Sequence, residues 1–211
     1  MRAYELQAEE GFDAIRIVAR PEPPAPGDHD VVVRIHAVSL NYRDLAVLRA
    51  SKKRLKRIVP VSDGAGEVVA VGERVTRVKV GDRVAGAFFP TWTSGGLAQD
   101  HHANALGGSL DGVLAEHVVL AESAGVKIPA RFSFEQASTL PCAGVTAWHA
   151  LFEAAPLRPG DTILVQGTGG VSVFALQLAR AAGARVIATS SSADKRARLE
   201  QMGAATTIDY R

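Results

Sequence analysis

A glycine-rich turn between a short apolar segment and a helix-forming segment constrains this 211-residue chain more than any other feature. Residues Thr162–Gln166 are mostly apolar or β-branched, which predicts a buried strand. Gly167, Gly169 and Gly170 follow directly, and Val171–Ala182 then has helical periodicity. A strand, a glycine turn and a helix in this order are the context of a dinucleotide-binding fingerprint, in which backbone N–H groups at the helix N-terminus hold a pyrophosphate.

The sequence after this turn continues the same pattern. A second strand is predicted at Arg185–Thr189, a second helix at Asp194–Met202 and a third strand at Ala205–Ile208. The third fingerprint position is Ser172, where Gly or Ala is usual. The cofactor-binding residues predicted in the turn are Gly167, Thr168, Gly169, Gly170 and Val171.

The end of the second predicted strand indicates which dinucleotide would bind. An NAD site usually places Asp or Glu about 20 residues after the glycines, but hydroxyl groups and two cations lie here. Ser190, Ser191 and either Lys195 or Arg196 could bind a 2′-phosphate through charge-assisted hydrogen bonds. We therefore expect NADP(H) rather than NAD(H). The alternative is an ordinary helix start capped by Ser192 or Asp194, with both cations solvated; the two interpretations are compatible.

Composition excludes several classes of protein. The formal net charge of +2 is too small to argue for a nucleic-acid partner, and apolar residues make up 47% of the chain, which argues against disorder. The single cysteine, Cys142, cannot form an intramolecular disulfide and favours a reducing compartment. We find neither a signal sequence nor a stretch long enough to span a membrane, and therefore expect a cytoplasmic protein without a membrane partner.

The first half of the chain is predicted to be a small β barrel or sandwich. Short segments of strand character alternate with turns at Gly72-Glu73 and Gly81-Asp82. The predicted strands are Val31–His36, Gly66–Val71, Arg83–Phe88 and Gly112–Leu120, and Thr91–Ser109 is predicted to be a long polar loop.

Helices are predicted between this β half and the glycine turn. Ser133 and Gln136 match a capping box, and Ala143–Ala154 is apolar. We expect three parts: a β domain at 1–127, connecting helices at 128–158 and a dinucleotide-binding part at 159–211.

Together these segments resemble the medium-chain dehydrogenase/reductase superfamily, in its zinc-independent alcohol dehydrogenase or quinone oxidoreductase-like branch. The resemblance covers essentially the whole chain. It depends on the glycine turn and on Asn41–Asp44, Asp63–Val69, Val80–Val84, Asp111–Glu116 and Leu140–Trp148. It implies a two-domain fold (α+β and α/β) with a GroES-like β domain followed by the first half of a Rossmann domain, a doubly wound parallel sheet.

The resemblance also identifies where zinc-dependent members hold their metal. The Cys, His (or neighbouring Glu) and Cys ligands of those enzymes correspond here to Asn41, Ser62 (with Asp63) and Cys142. Neither Asn nor Ser offers a thiolate, imidazole or carboxylate. The His101-His102 pair lies in the polar loop and is interpreted as solvated. We therefore expect no zinc, and interpret Cys142 as a small apolar residue at a helix start, with a reactive thiol as the alternative.

The resemblance places the candidate catalytic residues Asn41, Tyr42, Arg43 and Asp44 at the floor of the substrate cleft. Tyr42 could donate a proton or a hydrogen bond to an enolate oxygen, and Asn41 could do the latter or hold the nicotinamide ribose. Arg43 could bind an oxyanion or a phosphate. The alternative is structural: Arg43 and Asp44 pair and cap the next helix while Tyr42 packs.

The resemblance also bears on Asp63, Thr146 and the basic run Lys52–Arg57. Asp63 has a plausible pocket position but equally supports a turn, and Thr146 would approach the cofactor. The basic run Lys52–Arg57 could steer an anionic ligand or form a solvated loop, and it lacks the proton-donating Tyr that some related reductases carry there.

The expected activity is NADPH-dependent hydride transfer to a small-molecule quinone, enone or carbonyl, or the reverse oxidation of an alcohol. Relatives continue beyond the third predicted strand, so we expect this sequence to be part of a longer enzyme. That enzyme could be a homo-oligomer. The alternative is a truncated, non-catalytic remnant that acts as an interaction protein through the open edge of its sheet.

Overall fold

The chain folds into two compact units, which are described separately. A computed structural model describes residues 1–8, 11–50, 57–96 and 98–211. The first unit is Met1–Cys142 and the second is Ala143–Arg211. The division falls inside the segment 128–158 that the sequence assigns to connecting helices. Most of the basic run, Lys52–Lys56, lies outside the described residues.

The first unit is built mainly from antiparallel strands. Strands β3, β4, β5, β6 and β7 form one sheet in the order β6-β3-β4-β5-β7, while β1 and β2 form a separate hairpin. Its elements are β1 (Arg2–Leu6), β2 (Ile15–Ala19), β3 (Asp30–Ser39), α1 (Tyr42–Arg49), β4 (Asp63–Val71), β5 (Arg83–Gly86), α2 (Gln99–His102), β6 (His117–Ala121), β7 (Gly125–Lys127) and α3 (Phe134–Ser138).

Valine side chains dominate the core of this unit. β-Branched residues pack well on a pleated sheet, and alternate positions of each strand point to the same side. Val31 and Val33 of β3, Val68 of β4 and Val84 of β5 are almost completely buried in one cluster. This unit confirms the prediction that the first half of the chain is rich in β-strands.

A glycine in the middle of β4 allows its close approach to β3. Gly66 pairs with Ile35, and a Cβ atom there would overlap the backbone carbonyl oxygen of Arg34. The Arg34 carbonyl is part of the backbone, so it cannot rotate away from the new methyl group as a flexible side chain could. Gly66→Ala should therefore lower the free energy of unfolding by about 3 kcal/mol. Urea unfolding followed by circular dichroism measures this. Gly96→Ala is the matched control, because a Cβ there meets no atom within 4 Å; equal stability of the two variants would contradict the expectation.

Strand boundaries differ from prediction where the chain leaves regular pairing. The predicted strand Gly112–Leu120 is regular only in β6, since the N–H groups of Gly112 and Val113 donate to the carbonyls of Val59 and Val61 in an irregular segment. β3 and β4 are longer than predicted, and β5 is shorter. The strands β1, β2 and β7 were not predicted, and α2 lies in the predicted loop.

The second unit alternates strands and helices. Its elements are α4 (Val145–Trp148), β8 (Thr162–Gln166), α5 (Gly170–Ala181), β9 (Arg185–Thr189), α6 (Ala193–Gln201) and β10 (Thr206–Ile208). The predicted helix Ala143–Ala154 is helical but irregular, because π-helical turns flank α4. The strands are parallel in the order β10-β9-β8, which is the 3-2-1 order of half a Rossmann sheet.

The core of this unit lies between its sheet and its helices. Val165 of β8, Val186 of β9 and Leu176 of α5 are buried together, with Leu199 of α6 in the same cluster. β8 is at the edge of the three-stranded sheet, as predicted, and Leu164 there is 55% exposed. None of the helices in the described ranges combines the length and apolar character needed to cross a bilayer. The compartment remains a sequence-based prediction.

Candidate functional site

The glycine turn of the second unit has the open geometry that a bound phosphate needs. Gly167 has φ = 82°, in the left-handed region, and its N–H donates to the Thr189 carbonyl at 3.1 Å. Gly169 precedes the first turn of α5 in extended conformation. A Cβ atom on Gly167 or Gly169 would meet no atom within 4 Å, so the space beside the turn is free for a ligand.

The structure explains the departure at the third fingerprint position. The Ser172 hydroxyl donates to the Gln166 carbonyl at 2.9 Å, which ties α5 to the end of β8. Close helix packing is provided instead by Gly170, where a Cβ would lie 3.2 Å from the Cβ of Ala143. Val171 is partly exposed beside the turn and Thr146 is exposed on α4, so both side chains are accessible.

The residues after β9 divide into two groups. Ser190 is only 4% exposed and its hydroxyl accepts the Ser192 N–H, so it stabilises the turn itself. Arg196 donates to the Ser190 carbonyl at 2.7 Å and pairs with Asp209 at 2.9 Å. Ser192 caps α6, as one interpretation of the sequence proposed. Ser191 is half-buried and Lys195 is exposed, so these two remain accessible to a ligand.

In the first unit, the candidate catalytic residues surround the start of α1. The Asn41 N–H donates to Asp44 Oδ2 at 2.7 Å, so Asp44 caps the helix as predicted in the structural alternative. Burial raises the pKa of Asp44, whose Oδ1 accepts no hydrogen bond within the described part of the chain. Tyr42 is 78% exposed, so the predicted packing of its ring is wrong.

Arg43 is held by protein groups. Its Nη1 donates to the Leu106 carbonyl at 3.0 Å, and its guanidinium lies 4.5 Å from the centroid of the Phe88 ring. The distance from Nη1 to Asp44 Oδ1 is 3.7 Å. These contacts attach α1 to the segments that follow β5, and Phe88 is a contact that the sequence did not reveal.

A buried carboxylate lies beside these residues. Asp63 is 0% exposed and begins β4. Its Oδ1 accepts the Ser62 hydroxyl at 2.6 Å, and its Oδ2 accepts the Cys142 N–H at 2.8 Å. Burial raises the pKa of Asp63. Burial and the neighbouring Asp63 charge also raise the pKa of the Cys142 thiol to about 11, which keeps it protonated at neutral pH.

Comparison with known proteins agrees with both units. Residues 27–130 match the family model of the alcohol dehydrogenase GroES-like domain, and residues 170–211 match that of the zinc-binding dehydrogenases. The chain belongs to the medium-chain dehydrogenase/reductase superfamily. A zinc-type alcohol dehydrogenase-like protein of Schizosaccharomyces pombe is 42% identical over 95% of this chain and 59% of its own length.

Two further proteins show the range of this superfamily. A quinone oxidoreductase of Pseudomonas aeruginosa is 38% identical over 90% of this chain and 53% of its own length. A solved NAD-dependent alcohol dehydrogenase is 36% identical, with a TM-score of 0.88 over 100% of this chain and 64% of that protein. This medium-chain dehydrogenase/reductase sequence therefore spans between about half and two thirds of these relatives.

The residues that the resemblance places at the zinc position of zinc-dependent members do not fit a zinc ion. Asn41 and Ser62 offer no thiolate, imidazole or carboxylate, so Cys142 supplies the one usual zinc ligand of the three. Both carboxylate oxygens of Asp63 already accept hydrogen bonds. No group of three His, Cys, Asp or Glu side chains suited to a metal occurs among the described residues. His101 Nδ1 accepts the Ala98 N–H at 2.9 Å, which ties this imidazole to its own loop.

Proposed function

We propose that the protein is a zinc-independent NADPH-dependent oxidoreductase that transfers hydride to a quinone, an enone or a carbonyl, or oxidises an alcohol in reverse. The observation on which this proposal rests is the open glycine turn between β8 and α5. The turn lies on a parallel sheet with the strand order of a Rossmann domain. Support comes from the relatives, whose names include a quinone oxidoreductase and an alcohol dehydrogenase.

The second unit would hold the dinucleotide. Backbone N–H groups at the start of α5 would bind its pyrophosphate at Gly167, Thr168, Gly169, Gly170 and Val171. Ser191 and Lys195 would bind the 2′-phosphate, on a turn braced by Ser190. Thr146 is the proposed contact from α4. The bound nicotinamide would supply the hydride.

Tyr42 is the proposed proton donor of the first unit. The Asn41 side chain donates to the Ser39 carbonyl, and the Arg43 guanidinium donates to the Leu106 carbonyl. The exposed Tyr42 hydroxyl therefore remains as a side-chain donor at the start of α1. It would protonate the substrate oxygen or carbon that becomes anionic when hydride is added, and would regain its proton from water.

The test is NADPH oxidation by the purified protein with quinone, enone and carbonyl acceptors, with and without a metal chelator. We expect acceptor-dependent oxidation, unchanged by chelation, and far less than one zinc ion per chain by mass spectrometry. A zinc enzyme would instead lose its activity with the metal. Absence of oxidation with every acceptor class would contradict the proposed function.

A further inference from the structure

The guanidinium of Arg43 is held on one edge and open on the other. Its Nη1 donates to the Leu106 carbonyl at 3.0 Å, and its central carbon lies 4.5 Å from the centroid of the Phe88 ring. Within the described part of the chain, Nε and Nη2 donate no hydrogen bond, and neither is a buried atom without a partner. Because the side chain is 22% exposed, both nitrogens are in contact with solvent. A ligand can therefore reach them.

The positive charge of Arg43 is only partly offset by the protein. Among the described residues its ion-pair partner is Asp44, whose Oδ1 lies 3.7 Å from Nη1. That distance is longer than a hydrogen bond, and it involves the edge that already donates to Leu106. A guanidinium keeps its proton at neutral pH. The open edge therefore carries a positive charge at every pH at which the protein is folded.

The open edge has the geometry that a carboxylate needs. Nε and Nη2 lie on the same edge of the planar guanidinium, so their N–H groups run parallel. Two parallel N–H groups match the two oxygens of a carboxylate, whereas the ammonium group of lysine provides no such fork. Leu106 and Phe88 already restrict the side chain, so less conformational entropy is lost when a ligand binds.

We propose that Arg43 is a specificity-determining residue that binds a carboxylate group of the acceptor, so that the substrates of the protein are enones or carbonyl compounds that carry a carboxylate. Arg43 directly follows Tyr42 in α1. The carboxylate would thus be bound at the same end of α1 as the proposed proton donor. Arg43 binds and Tyr42 donates, because the guanidinium does not release its proton. The inference rests on the proposed function, since the ligand is its acceptor.

The first test compares 4-oxo-2-pentenoate with its methyl ester as acceptors in NADPH oxidation. The wild-type protein should have the larger kcat/KM for the acid. Arg43→Lys keeps the charge but removes the fork, so the ratio of kcat/KM for acid to ester should fall by about tenfold, through the KM of the acid. Loss of folded protein does not change this ratio, because both acceptors are measured with the same sample. Arg131→Lys is the matched control, since Arg131 also lies over a ring, that of Phe132, at 5.6 Å. It should keep the wild-type ratio.

Gly108→Ala moves the guanidinium without changing its charge. A Cβ atom on Gly108 would lie 2.7 Å from Arg43 Nη2, so the end of the arginine side chain must shift. The acid-to-ester ratio should again fall, while Gly96→Ala, whose Cβ meets no atom within 4 Å, should keep it. An unchanged ratio in Arg43→Lys or in Gly108→Ala would overturn the proposal, and so would an active enzyme that does not use the acid. Absence of oxidation with every acceptor class would contradict the proposed function instead.

A second measurement does not depend on activity. In ¹⁵N-arginine-labelled protein, the Nε–H signal of Arg43 is the one that disappears in Arg43→Lys. This signal should shift when 4-oxopentanoate, the saturated analogue of the acid, is added, and should not shift with its methyl ester. The Nε–H signal of Arg131 should stay in place. An unshifted Arg43 signal, or equal shifts of both arginines, would overturn the proposal whether or not the protein oxidises NADPH.

Discussion

Replacing Tyr42 by phenylalanine should lower kcat by about 100-fold or more, because a positioned general acid contributes about 10²- to 10⁴-fold to the rate. The change removes one hydroxyl and keeps the ring. Tyr42 is 78% exposed, so its hydroxyl contributes little to packing and the melting temperature should not change. Steady-state NADPH oxidation with a saturating acceptor measures the effect.

Tyr4→Phe is the matched control, since it removes a hydroxyl from the same unit on strand β1. It should retain wild-type kcat. A Tyr42→Phe variant with kcat within threefold of the wild-type value would show that the proton comes directly from water or from another group. That result would not contradict the proposed hydride transfer. The two variants together therefore test the donor separately from the overall reaction.

The second unit was predictable because its signals are local. β8 and β9 have the predicted bounds, since each is a short apolar run ended by a glycine or by hydroxyl residues. The first unit was harder to predict from the sequence. The N–H groups of Gly112 and Val113 donate to carbonyls on either side of Pro60, and this pairing depends on the left-handed Val61. No periodicity in residues 112–120 reveals that interruption.

In the candidate site too, contacts between residues close in sequence could be predicted, and contacts between residues far apart in sequence could not. Capping of α1 by Asp44 follows from a three-residue spacing and was foreseen as one alternative. The bond from Cys142 to Asp63 joins residues 79 positions apart, and that from Arg43 to Leu106 joins residues 63 apart. Sequence reasoning left the roles of Asp63 and Arg43 open, because only tertiary contacts identify their partners.

Replacing Ser191 by aspartate should reverse the expected preference for NADPH over NADH. A carboxylate at the end of β9 would repel a 2′-phosphate and accept a hydrogen bond from a ribose 2′-hydroxyl. We expect the ratio of the two dissociation constants to change by about 100-fold, which corresponds to about 2.8 kcal/mol. Ser191 is half-buried and follows the strand, so the fold should tolerate the change. Nicotinamide fluorescence titrations with both dinucleotides measure the ratio.

Ser191→Asn separates charge from size, because its side chain matches aspartate in shape but is neutral. If charge is decisive, this variant should stay within a few-fold of the wild-type ratio. Lys195→Ala provides the complementary test. It should weaken NADPH binding about tenfold and leave NADH binding unchanged, since only NADPH carries the phosphate that the exposed Lys195 would pair with. Arg196 already pairs with Asp209 and donates to the Ser190 carbonyl, so it would not replace the lost cation. Equal losses for both dinucleotides would show that Lys195 stabilises α6 rather than selecting the cofactor.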